Sequence, residues 1–132
     1  MNPPTILIVE HDEGTITLYA RMLRIEGYTV RIALTAKAGL EEIESSLPDG
    51  VILDFRLPDM DGLEVLRRLR ADDRYRHLPV VIATGMHFFD DQIPTALREL
   101  GADIRYKPLW LEDLADLART LLNATPSPVT SR

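Results

Sequence analysis

The stretch ILIVEHD at residues 6–12 joins an unbroken apolar run to three polar residues. Consecutive aliphatic residues without polar alternation are typical of a strand buried on both faces, as in a parallel sheet. After this stretch, apolar residues recur at a spacing of three to four from Thr15 onward and stop near Gly27. That spacing predicts an amphipathic helix ended by a glycine. The chain therefore begins with a strand followed by a helix.

The same alternation of strand and helix continues to the end of the apolar pattern. The predicted strands cover residues 6–9, 29–32, 50–53, 80–83 and 104–106. The predicted helices cover residues 15–27, 36–43, 63–69, 94–101 and 109–122. Five strand–helix units imply right-handed crossovers and a parallel sheet covered by helices on both faces. The sequence thus predicts the α/β class and a doubly wound, five-stranded parallel sheet of the flavodoxin-like (βα)5 kind.

Periodicity also predicts which side chains pack inward. The inner face of the first helix is expected to hold Ile16, Tyr19, Met22, Leu23 and Ile25. The inner face of the last helix is expected to hold Leu111, Leu114, Leu117, Leu121 and Leu122. Three aromatic residues, Phe88, Phe89 and Trp110, are expected to pack on the surface of the core and to take no part in chemistry.

Length and composition limit the possible functions. A chain of 132 residues has room for one domain, which we place at residues 1–123, with residues 124–132 as a tail or linker. The net charge of -6 disfavours direct contact with nucleic acid or an anionic membrane surface. The absence of cysteine excludes disulfides and thiolate metal sites. No signal or membrane-spanning pattern is found, so we expect a cytoplasmic protein.

Polar residues lie where the predicted strands end. In doubly wound sheets ligands bind beyond the carboxyl ends of the strands, so these residues are the candidates for chemistry. They are Glu10, His11 and Asp12 after the first strand, Asp54 after the third, Thr84 after the fourth, and Lys107 and Pro108 after the fifth.

Four short segments that contain most of these residues resemble, in their order along the chain, the receiver domains of response regulators, including the chemotaxis-regulator type. The resemblance covers most of the chain. The matching segments are ILIVE at 6–10, DFRLPDMDG at 54–62, ATG at 83–85 and KP at 107–108. Each segment alone is common in loops, but their order is specific. The resemblance implies a signalling module of a two-component system or phosphorelay, not an enzyme, with the receiver version of the (βα)5 fold.

The resemblance also implies roles for individual residues. Asp54 matches the residue that accepts a phosphoryl group, Thr84 the one that hydrogen-bonds a phosphoryl oxygen, and Lys107 the one that pairs with the phosphoryl charge. We expect Lys107 otherwise to face solvent. The implied partners are a sensor histidine kinase or phosphotransfer protein and an output protein that binds the face of the fourth helix, fifth strand and fifth helix. A homodimer is also possible for such a module.

The metal site departs from the family pattern. The implied cofactor is Mg²⁺, with Glu10, Asp54 and the backbone carbonyl of Arg56 as ligands. His11 stands in a ligand position that the family usually fills with a second acidic residue, and Mg²⁺ prefers oxygen ligands, so we expect a weakened site. Asp12 is a possible substitute, although an aspartate there is better suited to cap the helix. The Arg56 guanidinium could partly supply the missing positive charge.

Two readings of function remain open from the sequence. One is a receiver phosphorylated on Asp54 by a partner kinase. The other is a pseudo-receiver that binds proteins without phosphorylation, which His11 supports. The family also tends to place an aromatic residue three positions before the lysine, where this chain has Ile104, and Tyr106 comes later. We therefore expect phosphorylation of Asp54 to change the face of the fourth helix, fifth strand and fifth helix in a different way from the family pattern.

Overall fold

The computed structural model describes residues 2–85, 87–88 and 90–123. The strands are β1 Thr5–Val9, β2 Thr29–Ala33, β3 Gly50–Asp54, β4 Val80–Thr84 and β5 Asp103–Tyr106. The helices are α1 Glu13–Ile25, α2 Ala36–Ser45, α3 Gly62–Ala71, α4 Gln92–Glu99 and α5 Leu111–Asn123. A short 3-10 helix, Asp73–Tyr75, follows α3 and was not predicted.

The five strands form one parallel sheet in the order β2-β1-β3-β4-β5. Alternate side chains of the three inner strands, β1, β3 and β4, enter two separate cores. In β1, Ile6 and Ile8 pack with α1 and α5, whereas Leu7 and Val9 pack with α2, α3 and α4. Both faces of the three inner strands are covered, which is why β1, β3 and β4 lack polar alternation, whereas the edge strands β2 and β5 carry exposed or half-buried polar residues. The predicted doubly wound (βα)5 sheet is confirmed.

Helix ends are set by local capping. The Asp12 side chain accepts a hydrogen bond from the Thr15 N–H at 2.8 Å, so α1 begins at Glu13, two residues before its predicted start. Gly27 and Gly101 follow α1 and α4 with φ values of 100° and 84°, and the predicted glycine at the end of the first helix is confirmed. Pro94 lies in the first turn of α4, where its missing N–H leaves no intrahelical bond unmade.

Some predicted inward positions are wrong. Ile25 is 73% exposed and Leu111 is 42% exposed, because each lies at a helix end where the apolar stripe has turned toward solvent. Trp110 is 64% exposed and does not pack on the core as expected. Phe88 does pack on it, edge-on against Phe55 with ring centroids 5.2 Å apart. Phe89 and residues 124–132 lie outside the described residues.

The loop after β3 reaches across to the start of α2. The two Asp59 carboxylate oxygens accept hydrogen bonds from the backbone N–H groups of Ala36 and Lys37, each at 2.9 Å. Burial acts to raise the pKa of Asp59, but these two donors outweigh it and the pKa lies below its ordinary value. The loop that follows the third strand is thereby attached to the second helix.

We expect Asp59→Ala to lower the free energy of unfolding by about 1 kcal/mol, as for an N-cap residue, because Asp59 likewise accepts from N–H groups at the start of a helix, although Thr35 is the N-cap of α2. Because the pKa of Asp59 is lowered in the folded state, this stabilisation is present above the ordinary aspartate pKa and is lost as pH falls through the lowered one. Urea unfolding at pH 7 and at acid pH measures both effects. Asp59→Asn keeps one carbonyl acceptor, so its free energy of unfolding should fall by less than that of Asp59→Ala. Equal stability of Asp59→Ala and the native protein would contradict the capping role.

Candidate functional site

The carboxyl ends of β1, β3 and β4 place three polar side chains at one edge of the sheet. Asp54 pairs in register with Ala83, next to Thr84, and Val9 pairs with Leu53, so Glu10 follows directly beside Asp54. Glu10, Asp54 and Thr84 are 2%, 5% and 1% exposed. Two carboxylates are thus buried side by side, an arrangement that requires nearby positive charge.

Lys107 supplies that charge. Its backbone N–H donates to the Thr84 carbonyl at 2.9 Å, which holds the start of the loop after β5 against the end of β4. Its ammonium donates to Glu10 Oε1 and lies 3.6 Å from Asp54 Oδ2. The side chain is only 21% exposed, so the expectation that Lys107 faces solvent is wrong. The lysine bridges both buried carboxylates.

Opposing effects act on the ionisation of this pair. Burial raises the pKa of Asp54, the charge of Glu10 raises it further, and Lys107 only partly offsets them, so the net shift is upward. Burial would lower the pKa of Lys107, but the hydrogen bond to Glu10 and the charge of Asp54 outweigh it and raise the pKa. Lys107 therefore stays protonated at neutral pH, and the Asp54 charge is held in place mainly by this ammonium.

The His11 ring is directed into the site although its side chain is 53% exposed. Its Nδ1 atom lies 3.4 Å from Asp54 Oδ2 and 3.7 Å from Glu10 Oε2. Donor atoms of Glu10, His11 and Asp54 all lie within 4.8 Å of one another. The structure thus brings together three of the residues that the sequence singled out for a metal.

Asp12 is occupied elsewhere. Its Oδ2 atom accepts from both the N–H and the hydroxyl of Thr15, at 2.8 Å and 2.7 Å, and these bonds lower the pKa of Asp12. Its backbone N–H donates to Glu10 Oε2 at 2.9 Å. Asp12 therefore caps α1 and helps to fix Glu10, as the capping interpretation predicted.

Arg56 and Gly62 lie on the path of the chain from the end of β3 to the start of α3. The Arg56 N–H lies 3.4 Å from Asp54 Oδ1, and the exposed Arg56 lines the same open cleft as Thr84 and Gly85. A Cβ atom on Gly62 would stand 3.0 Å from the Phe55 Cα and 3.3 Å from the Asp54 carbonyl oxygen. Glycine is needed here because the start of α3 passes close to the backbone at the end of β3.

Two ring contacts near the site were not foreseen. Phe88 packs on Phe55, the residue directly after Asp54, and His87 stacks on Tyr106, directly before Lys107, with ring centroids 5.5 Å apart. Ile104, in the place of the usual aromatic residue, is buried, whereas Tyr106 is 43% exposed. No sequence spacing signals these contacts, because each joins a loop residue to a distant strand end.

Comparison with known proteins agrees with this geometry. The family model described as response regulator receiver domain matches residues 6–119. Response regulator MprA of Mycolicibacterium vanbaalenii is 36% identical over 126 residues, which are 93% of this chain and 52% of that protein. The chain therefore spans about half the length of such relatives.

Solved structures show the same fold. A putative response regulator from Chloroflexus aurantiacus is 32% identical with a TM-score of 0.83, covering 92% of this chain and 99% of the other. A CheY-like receiver domain protein from Methanospirillum hungatei is 29% identical with a TM-score of 0.85, covering 94% and 97%. Within the part of the chain that the structure describes, no helix has the length and apolar character to span a membrane.

Proposed function

We propose a phosphoryl-accepting role for this chain, starting from the fact that it belongs to the response regulator receiver domain family of two-component systems. The observation that carries the proposal is the position of Asp54 at the end of β3, beside the Lys107 ammonium and at the floor of a cleft that Thr84 also lines. A buried carboxylate held next to a cation and open to solvent on one side is suited to receive phosphorus from a donor.

The chemistry follows from these groups. A carboxylate oxygen of Asp54 forms the new P–O bond while the donor's bond to phosphorus breaks and the leaving group departs with the electron pair. The Lys107 ammonium stabilises the negative phosphoryl oxygens, and the Thr84 hydroxyl donates a hydrogen bond to one of them. Positioning and charge account for most of the rate in such transfers. The product is an acyl phosphate on Asp54.

The donor set fits a divalent cation only in part. Glu10 and Asp54 offer the oxygen atoms that Mg²⁺ prefers, and we propose the Arg56 backbone carbonyl as a third ligand, whereas the imidazole of His11 suits this ion poorly. A bound cation would add positive charge for the phosphoryl oxygens. We therefore propose weak Mg²⁺ binding, with the Arg56 guanidinium at the rim supplying part of the missing charge.

A sensor histidine kinase or phosphotransfer protein is the proposed donor, and the α4-β5-α5 face the proposed output surface. Phosphorylation at Asp54 would act on this face through Lys107, whose backbone is bonded to the end of β4, and through the contact of Phe55 with Phe88. We also propose that this face could bind a second copy of the chain and form a homodimer. Neither nucleic acid nor membrane is among the proposed direct partners, because the net charge is -6.

A second candidate function is a protein-binding pseudo-receiver that works without phosphorylation. The observation that favours it is His11, whose ring stands in a metal-ligand position beside both carboxylates. Labelling separates the two candidates. The native chain, incubated with acetyl phosphate and Mg²⁺, is expected to gain one phosphoryl group by intact mass, and hydroxylamine is expected to remove it. A native chain that never gains mass, while His11→Asp does, would instead identify a pseudo-receiver.

We expect His11→Asp to bind Mg²⁺ at least about tenfold more tightly than the native chain and to be labelled faster, because a hard oxygen replaces the imidazole. Titration calorimetry and timed labelling measure both. Arg56→Ala in the native background should slow labelling by removing charge at the rim. If the native chain already binds Mg²⁺ as well as His11→Asp does, the imidazole does not weaken the site.

A further inference from the structure

We propose that Glu10, His11 and Asp54 form a binding site that selects a borderline transition ion of the Co²⁺, Ni²⁺ and Zn²⁺ class over Mg²⁺. Divalent first-row ions of this class accept imidazole together with carboxylates, whereas Mg²⁺ favours oxygen. His11 thus does more than weaken one metal site, because it changes which metal the site prefers.

The geometry of the three donor atoms carries this proposal. His11 Nδ1 lies 3.4 Å from Asp54 Oδ2 and 3.7 Å from Glu10 Oε2. Ligand atoms at about 2.0–2.1 Å around a tetrahedral ion are separated by about 3.4 Å. The observed separations are close to that value. Because the ligand atoms of the three residues also lie within 4.8 Å of one another, one ion can contact all three residues once their side chains adjust around it.

The other oxygen of each carboxylate contacts a different group, and the Lys107 ammonium also lies 3.6 Å from the proposed donor oxygen of Asp54, Oδ2. Lys107 bonds the other oxygen of Glu10, Oε1, and the Arg56 N–H faces the other oxygen of Asp54, Oδ1. The Asp12 N–H donates to Glu10 Oε2 and fixes its direction toward His11. A metal can thus bind without displacing Lys107 from Glu10. Such outer hydrogen bonds orient metal ligands in general.

Charge favours a cation at the same place. The two buried carboxylates carry two negative charges, and Lys107 neutralises one of them. The exposed side of His11 leaves the site open to water, which can fill the remaining coordination positions. The donor set is therefore a partly open site with two carboxylates and one imidazole, the combination that distinguishes transition ions from Mg²⁺.

This inference rests on the donor set and not on phosphoryl transfer, so it can be tested with metal alone. Native protein is titrated with Co²⁺, followed by its visible absorption, with Zn²⁺ by competition against a chromophoric chelator, and with Mg²⁺ by calorimetry. We expect His11→Asp to bind Co²⁺ and Zn²⁺ roughly tenfold or more weakly than native protein and Mg²⁺ more tightly, which is a reversal of preference. His11→Ala should lose Co²⁺ binding without gaining Mg²⁺ binding.

His77→Ala is the matched control, since His77 is an exposed histidine just before β4, at the opposite edge of the sheet. It should leave the Co²⁺ affinity and spectrum unchanged, and circular dichroism confirms that each variant is folded. Equal Co²⁺ affinity in native protein and His11→Ala would overturn the proposal, as would equal losses in His77→Ala and His11→Ala. Failure of acetyl phosphate to label Asp54 would leave these titrations unaffected and would count only against the phosphoryl-accepting role.

Discussion

Asp54→Asn is expected to abolish phosphoryl transfer from acetyl phosphate while leaving the protein folded and no less stable at neutral pH. The carboxamide is isosteric with the carboxylate but lacks the charged oxygen that attacks phosphorus. The native pKa of Asp54 is raised by burial and by the charge of Glu10. The native protein therefore loses stability as pH rises from the ordinary aspartate pKa to the raised one, and Asp54→Asn avoids that loss.

Asp61→Asn provides the control for this result. Asp61 caps α3 by accepting a hydrogen bond from the Glu64 N–H at 2.9 Å, lies on the loop that follows Asp54, and is exposed. Its variant should be labelled at the native rate with a small loss of stability. Intact mass after timed incubation measures labelling, and urea unfolding between pH 4 and pH 8 measures stability. Labelling of Asp54→Asn at the native level would move the acceptor to another residue.

Lys107→Met is expected to lower the free energy of unfolding by about 3 kcal/mol at pH 8, the cost of leaving buried charge without its partner. Methionine keeps much of the side-chain packing but removes the ammonium from between Glu10 and Asp54. Without that ammonium the pKa of Asp54 rises further, so the deficit grows as pH rises above the ordinary aspartate pKa and shrinks toward pH 4. Urea unfolding across this range measures the difference.

Two variants test whether charge is the cause. Glu10→Gln combined with Lys107→Met removes both members of the bonded pair and should recover most of the lost stability. Lys37→Met alters the chain's other lysine, which is 80% exposed and lies 4.0 Å from Glu41, and should change stability little. A Lys107→Met protein as stable as the native one at pH 8 would show that the buried carboxylates do not depend on this ammonium.

The fold could be predicted because its signals are local. Each strand is a short apolar run and each helix a three-to-four spacing, so neither depends on distant residues. The errors are local as well, since the first helix begins at Glu13 only because the Asp12 side chain turns back to cap it. At helix ends the apolar stripe no longer determines burial, which is why Ile25 was placed wrongly.

The contacts within the candidate site could be predicted less well than its members. The motifs brought Glu10, Asp54 and Lys107 to one edge of the sheet, but the bond between Lys107 and Glu10 joins residues 97 positions apart. Which carboxylate the ammonium binds depends on where each strand ends relative to its neighbours in the sheet. Local sequence patterns do not determine those relative positions. Sequence patterns also do not indicate the attachment of Asp59 to α2, because it joins residues that are 22 and 23 positions apart.

The exposed position of Trp110 makes the chain its own fluorescent reporter. It is the chain's one tryptophan, it follows Lys107 by three residues, and its backbone N–H donates to Asp113 at 2.8 Å at the start of α5. Being 64% exposed, its indole is open to collisional quenchers such as iodide. The fluorescence emission of Trp110 and its quenching therefore depend on the conformation of the loop that carries Lys107. Ligand binding and rearrangement of that loop can be followed in real time without a label.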